Sequence, residues 1–399
     1  SVLLTLCMVF VMTACAENSS QSEKSQPAEQ TTVQPTTMSA EEINDRKLDK
    51  FISDMTLEEK VGQMFFVRCP DEGAVQQVSE YNIGGYILFG RDFDGKTKDE
   101  VLDDIHSYQN EADIPLLIGV DEEGGTVVRV SSNPNLRETP FLSPKDTYAD
   151  GGWDAVKQDA EEKADLLLSL GINVNLAPVC DMTSDEYGFM YDRSFSSDVD
   201  MENRYVRTVV ETSKSKKLGT VLKHFPGYGN NSDTHTGIAY DDRDYSEFEN
   251  TDFKPFYQGI ESGADCILVS HNIVNCMDSE YPASLSQKVH DILRNEFKFD
   301  GVIMTDDLIM DAITDFTGDE AAAVTAAKCG NDLLCCSSVD TQYPAVLEAV
   351  QNGEIPETQV DASVKRILKW KQNLGIFNID TYQKKVKSTE PTDTVGSEE

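Results

Sequence analysis

Three of the five histidines in this 399-residue chain stand among lysine, carboxylates and hydroxyls. Lys223 and His224 run into Phe225-Pro226-Gly227, and a Gly-, Asn- and Ser-rich stretch then leads to Asp233-Thr234-His235. A carboxylate two residues from an imidazole can hold its tautomer and raise its basicity. A histidine of near-neutral pKa can donate a proton in one step and remove one in the next. Asp306-Asp307 close an apolar run, and a carboxylate placed there can act as a nucleophile. Together these groups supply what a two-step retaining glycosidase needs, although the usual solution is a pair of carboxylic acids. Asp121, Arg129, Arg193, Lys223, His224 and His271 add hydrogen-bonding and cationic groups suited to a polyhydroxylated, near-neutral substrate.

Singly, each residue has an ordinary reading. A strand-end Asp is as readily a helix N-cap, Lys223 a surface lysine, and Arg129 or Arg193 half of an ion pair. His106 and His290 fall in helical patterns and read as surface or helix-end residues. The grouping carries the weight: a lysine and a histidine side by side at a strand end, facing several carboxylates, are costly to bury without a purpose.

The elements that must position them alternate regularly. Short apolar runs predict strands at 62–67, 85–89, 115–120, 172–178, 219–224, 265–270, 301–305 and 332–335. Helical spacing falls near 73–81, 97–111, 153–169, 201–216, 248–262, 285–297, 319–328 and 343–351, with a final helix over 356–374. Leu48, Phe51, Ile52 and Met55 mark an earlier helix, and Thr56 with Glu59 forms a capping-box start for a second. Eight strand-then-helix units, with strands apolar on both faces, predict an α/β fold: a single (β/α)₈ TIM barrel. A doubly wound open sheet is the alternative, but no GxGxxG or GxxxxGK loop follows any strand. Active sites of such barrels lie at the C-terminal strand ends. Asp121, Asp181, Lys223-His224, Ser270-His271 and Asp306-Asp307 all fall there.

The formal charge of −37 argues against a nucleic-acid partner, because a phosphate backbone requires a basic face. Seven cysteines remain beyond the leader, an odd number, several inside apolar runs and none in a metal-type CxxC spacing. Buried free thiols, no metal and no cofactor are the expectation. Residues 1–15 read as a lipoprotein signal peptide: an apolar run ending in Met12-Thr13-Ala14-Cys15 resembles a lipobox, with Cys15 as the lipidated mature N-terminus. An ordinary secretory signal cleaved at Ala14 or Ala16 is the alternative. Residues 16–42 then form a flexible tether, 43–378 the barrel and 379–399 a disordered polar tail. The expected location is a lipid-anchored, extracytoplasmic position at the cell membrane.

LysHisPheProGly at 223–227 with AspThrHis at 233–235 resembles the Lys-His-Phe-Pro-Gly…Asp-Ser-His signature of family 3 glycoside hydrolases, in their β-N-acetylglucosaminidase branch. GlyValIleMetThrAspAspLeuIleMet at 301–310 is similar to that family's nucleophile segment. MetThrLeuGluGluLysValGlyGlnMet at 55–64 and AspArgSerPhe at 192–195 match further stretches, and the resemblance covers roughly 45–378. It implies Asp306 as nucleophile and His235 as acid/base oriented by Asp233. It also implies Asp121, Arg129, Arg193, Lys223 and His224 as sugar-holding residues, with Ser270 and His271 at the same mouth. Its substrate would carry non-reducing β-linked GlcNAc, with peptidoglycan fragments the natural extracytoplasmic source. Two positions depart from the pattern: Tyr228 stands where the branch has His, and Thr126 where an Arg follows Gly-Gly. A β-glucosidase or β-xylosidase of the same family normally draws a Glu acid/base from a second domain. A non-catalytic sugar-binding lipoprotein would be expected to lose a nucleophile or acid/base. Phosphorolysis in place of hydrolysis is a third alternative.

Overall fold

A computed structural model of the protein describes residues 38–231, 234, 237–317 and 319–385, the side chains of 319–321 excepted. Cys15, and with it the expected leader and most of the tether, lies outside the described residues. Residues 38–43 belong to a small N-terminal unit, within which Ser39 Oγ accepts the amide of Glu42 at 3.1 Å. The larger unit begins at Asn44.

Among the described residues ten strands follow in order: β1 (Phe65–Arg68), β2 (Gly85–Leu88), β3 (Leu117–Val120), β4 (Val174–Asn175), β5 (Gly219–Phe225), β6 (Tyr240–Asp241), β7 (Cys266–Val269), β8 (Ile273–Val274), β9 (Val302–Thr305) and β10 (Leu334–Cys336). Eight of them form one parallel sheet in the order β10-β1-β2-β3-β4-β5-β7-β9. Its two ends meet at a parallel bridge between Met304 and Leu333, reinforced by Thr305 N donating to Leu333 O at 3.1 Å. The eight strands coincide with the eight expected from apolar runs, each followed by helix.

Why the strands are apolar on both faces is visible in the packing. Phe66, Ile87, Leu117, Val221, Cys266, Leu268, Val302 and Met304 pack together inside the barrel. Their immediate neighbours Phe65, Tyr86, Ile118, Leu222, Ile267 and Ile303 pack outward, under the helices. The period of two thus sorts each strand into a barrel-filling and a helix-facing set. The helices are cut where the sequence dictates. Thr56 and Thr97 close capping boxes with Glu59 and Glu100, Ser143 caps a helix with Pro144 in its first turn, and Gly375 follows the last helix.

Three expectations shift. The first strand starts at Phe65 rather than 62, because the helix Leu57–Gln63 runs on through Gly62; a Cβ there would lie 2.0 Å from the Tyr81 carbonyl. The β6–β8 pair was not anticipated, since two-residue strands carry no periodicity. The barrel unit also continues past residue 378: the Tyr382 ring packs edge-on against Phe51 at 4.9 Å, Lys384 pairs with Glu59, and Lys385 Nζ donates to the Ala112 carbonyl at 2.7 Å. Polar composition concealed one aromatic anchor. Cys69, Cys180, Cys266, Cys329, Cys335 and Cys336 are free and buried as expected, whereas Cys276 is free and exposed.

Candidate active site

A cavity of about 610 Å³ opens at the C-terminal ends of the strands. Its polar lining follows from the same alternation that fills the barrel. Two residues beyond the interior Phe66, Ile87, Val221 and Met304 come Arg68, Phe89, Lys223 and Asp306, all on the cavity wall. Asp121 and Glu123 continue the interior register of Leu117 and Gly119 in the same way, and both line it too. The chain therefore changes from apolar to polar at one level of the barrel, while its side chains keep pointing inward.

Lys223 is the centre of the electrostatics. Its Nζ lies 2.6 Å from Asp121 Oδ1 and 2.7 Å from Glu123 Oε1, with the side chain 2% exposed. Burial would lower the Lys223 pKa, but the two carboxylates outweigh it and the ammonium is held above its ordinary range. Burial likewise pushes Glu123 up, and the charges of Lys223 and Arg193 more than reverse this, holding the carboxylate ionised. Arg193 forks onto Glu123 through Nε at 3.0 Å and Nη2 at 2.8 Å. The same Nη2 reaches His224 Nε2 at 3.2 Å, and His224 Nδ1 lies 2.7 Å from Asp181 Oδ2. Because a guanidinium only donates, Nε2 must accept and Nδ1 must carry the proton given to Asp181.

Glu122, between the two inward carboxylates, points the other way. It is fully buried and accepts the amides of Arg129 (2.9 Å) and Val130 (2.7 Å) and the Ser131 hydroxyl. It thus shapes the loop that brings Arg129 to the cavity wall. Arg68 and Arg129 both approach the Phe89 ring, with guanidinium carbons 4.3 and 5.9 Å from its centroid.

Asp306 and Asp307 are separated by their partners. Asp307 Oδ2 accepts from Ser337 Oγ at 2.8 Å and Oδ1 from Ile309 N at 3.2 Å. Burial, with a further contribution from the Asp306 charge, raises the Asp307 pKa. Asp306 Oδ1 accepts the Asp307 amide at 2.9 Å, and the residue lines the cavity at the end of β9.

Two expected mouth residues sit behind the wall. Ser270 and His271 are fully buried; His271 Nε2 donates to the Asp307 carbonyl at 3.1 Å and Nδ1 lies 2.7 Å from Ser284 Oγ. His271 has no exposed surface and supports the Asp306-Asp307 turn through its bond to the Asp307 carbonyl. Asp233 and His235 lie outside the described residues. Thr234, between them in sequence, is buried, with its Oγ1 2.5 Å from the Tyr228 hydroxyl. Of the remaining expected residues, Asp121, Arg129, Arg193, Lys223, His224 and Asp306 converge on one cavity. Glu123 and Asp181 had no assigned role from sequence. For Glu123 a signal existed: it stands two residues past Asp121, the spacing that returns a strand residue to the same face.

Residues 56–370 match the model of the glycosyl hydrolase family 3 N-terminal domain. The chain is 32% identical over 273 residues to the beta-hexosaminidase of Nitrosomonas eutropha, covering 66% of this chain and 77% of that protein. It is 33% identical over 274 residues to the beta-hexosaminidase of Hydrogenovibrio crunogenus, covering 67% and 75%. Among solved structures, a family 3 beta-N-acetylglucosaminidase from a Paenibacillus species superposes with a TM-score of 0.76 at 29% identity, over 86% of this chain and 66% of that one. Mycobacterium tuberculosis LpqI superposes with a TM-score of 0.74 at 26% identity, over 81% and 96%.

Proposed function

The chain belongs to glycosyl hydrolase family 3, and we propose that within it the protein is a retaining β-N-acetylhexosaminidase removing non-reducing β-linked GlcNAc. The observation that carries this reading is the placement of Asp306 on the wall of a cavity that also exposes Asp121, Lys223 and His224. The beta-hexosaminidases among its relatives support the N-acetyl sugar.

The chemistry divides as follows. Asp121, Lys223, Arg193 and His224 hold the hydroxyls of the terminal sugar; their mutual ion pairs fix them beforehand, so little ordering is left for binding. An Asp306 oxygen attacks the anomeric carbon while His235 gives its proton to the departing glycosidic oxygen. The glycosyl–Asp306 ester forms as the C–O bond to the aglycone breaks. His235, now neutral, takes a proton from water, the water oxygen attacks the anomeric carbon, and Asp306 leaves as a carboxylate. Asp233 orients the imidazole. Peptidoglycan fragments are the proposed natural substrate, met by an enzyme anchored outside the cytoplasm through a lipid on Cys15.

Rates on 4-nitrophenyl β-GlcNAc, β-glucoside and β-xyloside test the sugar, and activity confined to glucose would overturn it. Asp306→Ala is expected to abolish turnover, and Asp307→Asn to leave a measurable fraction; the reverse order would move the nucleophile to Asp307. Turnover that requires added phosphate would replace hydrolysis by phosphorolysis. Metabolic labelling with a fatty-acid analogue should mark the protein, and Cys15→Ser should remove the label.

A further inference from the structure

Tyr228 stands at a departure from the family pattern, and among the described residues its hydroxyl has one polar partner. The residue is 1% exposed. Its amide donates to Asp181 Oδ1 at 2.7 Å, while Asp181 Oδ2 takes both the ring and the backbone of His224. The phenol ring meets His224 at 84° and 5.3 Å, and Phe189 at 69° and 6.0 Å. Backbone and ring are thus fixed by the sugar-binding wall, and the hydroxyl ends 2.5 Å from Thr234 Oγ1. Both hydroxyls are buried, so each would lose its compensation without the other. Burial and the nearby Asp306 charge push the phenol far above its ordinary pKa, keeping it protonated.

The loop that begins at Gly227 is already closed at its base. Arg243 Nη2 donates to the Gly227 carbonyl at 3.2 Å and to Asp241 at 2.8 Å, while Nη1 meets Asp252 at 3.0 Å. That clamp ties the two stems and packs against Gly229 just inside them, where a Cβ would lie 2.7 Å from the Arg243 guanidinium carbon. Thr234 lies within the span and is flanked by Asp233 and His235 in sequence.

We propose that Tyr228 is a positioning residue for proton transfer: its hydroxyl, bonded to Thr234, ties the loop bearing Asp233 and His235 to the wall that holds the sugar. The inference rests on the reading of His235 as acid/base. The sugar wall and the proton donor are thereby referenced to one carboxylate, Asp181, through His224 on one side and Tyr228 on the other. Tyr228, one of the positions that depart from the family pattern, is thus bonded to Thr234, which stands where the signature has Ser.

The test is kcat/KM for a series of aryl β-GlcNAc substrates, from phenyl to 2,4-dinitrophenyl. Tyr228→Phe keeps the ring against His224 and removes only the hydroxyl. Both it and Thr234→Val should lower kcat/KM about 10-fold for phenyl leaving groups, the equivalent of about 1.4 kcal/mol or one neutral hydrogen bond. Both should leave 2,4-dinitrophenyl, which departs without protonation, within about 2-fold, with KM little changed. Thr234→Ser, which retains the hydroxyl, should stay near wild type, and the double variant should be no worse than the poorer single one. Equal losses across leaving groups in Tyr228→Phe, or additive losses in the double variant, would overturn the positioning role. His235→Ala separates the two failures. A steep leaving-group dependence in His235→Ala with none in Tyr228→Phe removes only the positioning role. Equal losses in His235→Ala remove the acid/base reading beneath it.

Discussion

Two lysines of this barrel are fully buried, and their surroundings drive them in opposite directions. Lys223 meets two carboxylates; Lys371, on the final helix Glu357–Asn373, donates only to Gln63 Oε1 at 2.8 Å. Burial alone brings the Lys371 pKa from 10.5 down to about 7. Between those values the unfolded chain binds a proton that the folded chain does not, so stability rises with pH from about 7 to 10.5 and is flat at its minimum below 7. At about 1.4 kcal/mol per pH unit, the full span is worth about 5 kcal/mol. Lys371→Met removes the titration and keeps the buried volume. It deprives Gln63 of one partner, a loss of about 1 kcal/mol, while the Gln63 amide still donates to the Asn82 carbonyl at 2.8 Å. Urea unfolding at pH 6.5 should therefore show the variant about 3–4 kcal/mol more stable than wild type, the difference shrinking toward zero or slightly reversing by pH 10. A difference that does not change with pH, or a variant less stable at pH 6.5, would refute the reasoning.

Glu123→Gln should destabilise the protein by about 3–5 kcal/mol at pH 7, because Lys223 and Arg193 lose their shared buried anion. The folded Glu123 carboxyl lies below its ordinary value, so the stability it contributes is present above pH 4.5 and is lost as pH falls further. Urea midpoints of wild type and variant at pH 7 and pH 3 should converge at the acid end. Gly227→Ala places a Cβ 2.4 Å from Asp252 Oδ1 at a backbone φ of +121°, and should cost about 1–3 kcal/mol by thermal melting. Alkylation of the native protein followed by mass mapping should modify Cys276 quickly and the six buried cysteines of the barrel unit only after unfolding.

The barrel was legible because parallel strands buried on both faces must be apolar at nearly every position, and eight such runs recur between amphipathic helices. Cavity residues such as Asp121, Lys223 and Asp306 were legible because an apolar strand that ends in charge is costly unless the charge faces a site. The helix caps were local matters, decided within four residues. What remained hidden depended on contacts between elements far apart in the chain. His271 occupies a strand-end position like His224, yet the packing of Ser284 and the Asp307 carbonyl against it places it behind the wall. The roles of the adjacent carboxylates 121–123 were decided only when β3 and β5 were placed on either side of β4. Two of the three then met Lys223, and the third turned to the Arg129 loop. Lys223 and Lys371 carry the same side chain and the same full burial; one is ionised and the other brought near neutrality. Residue type and periodicity therefore determined which side chains point inward. Only the tertiary structure decided what each meets there, because the interior field is set by partners up to 308 residues away in the chain.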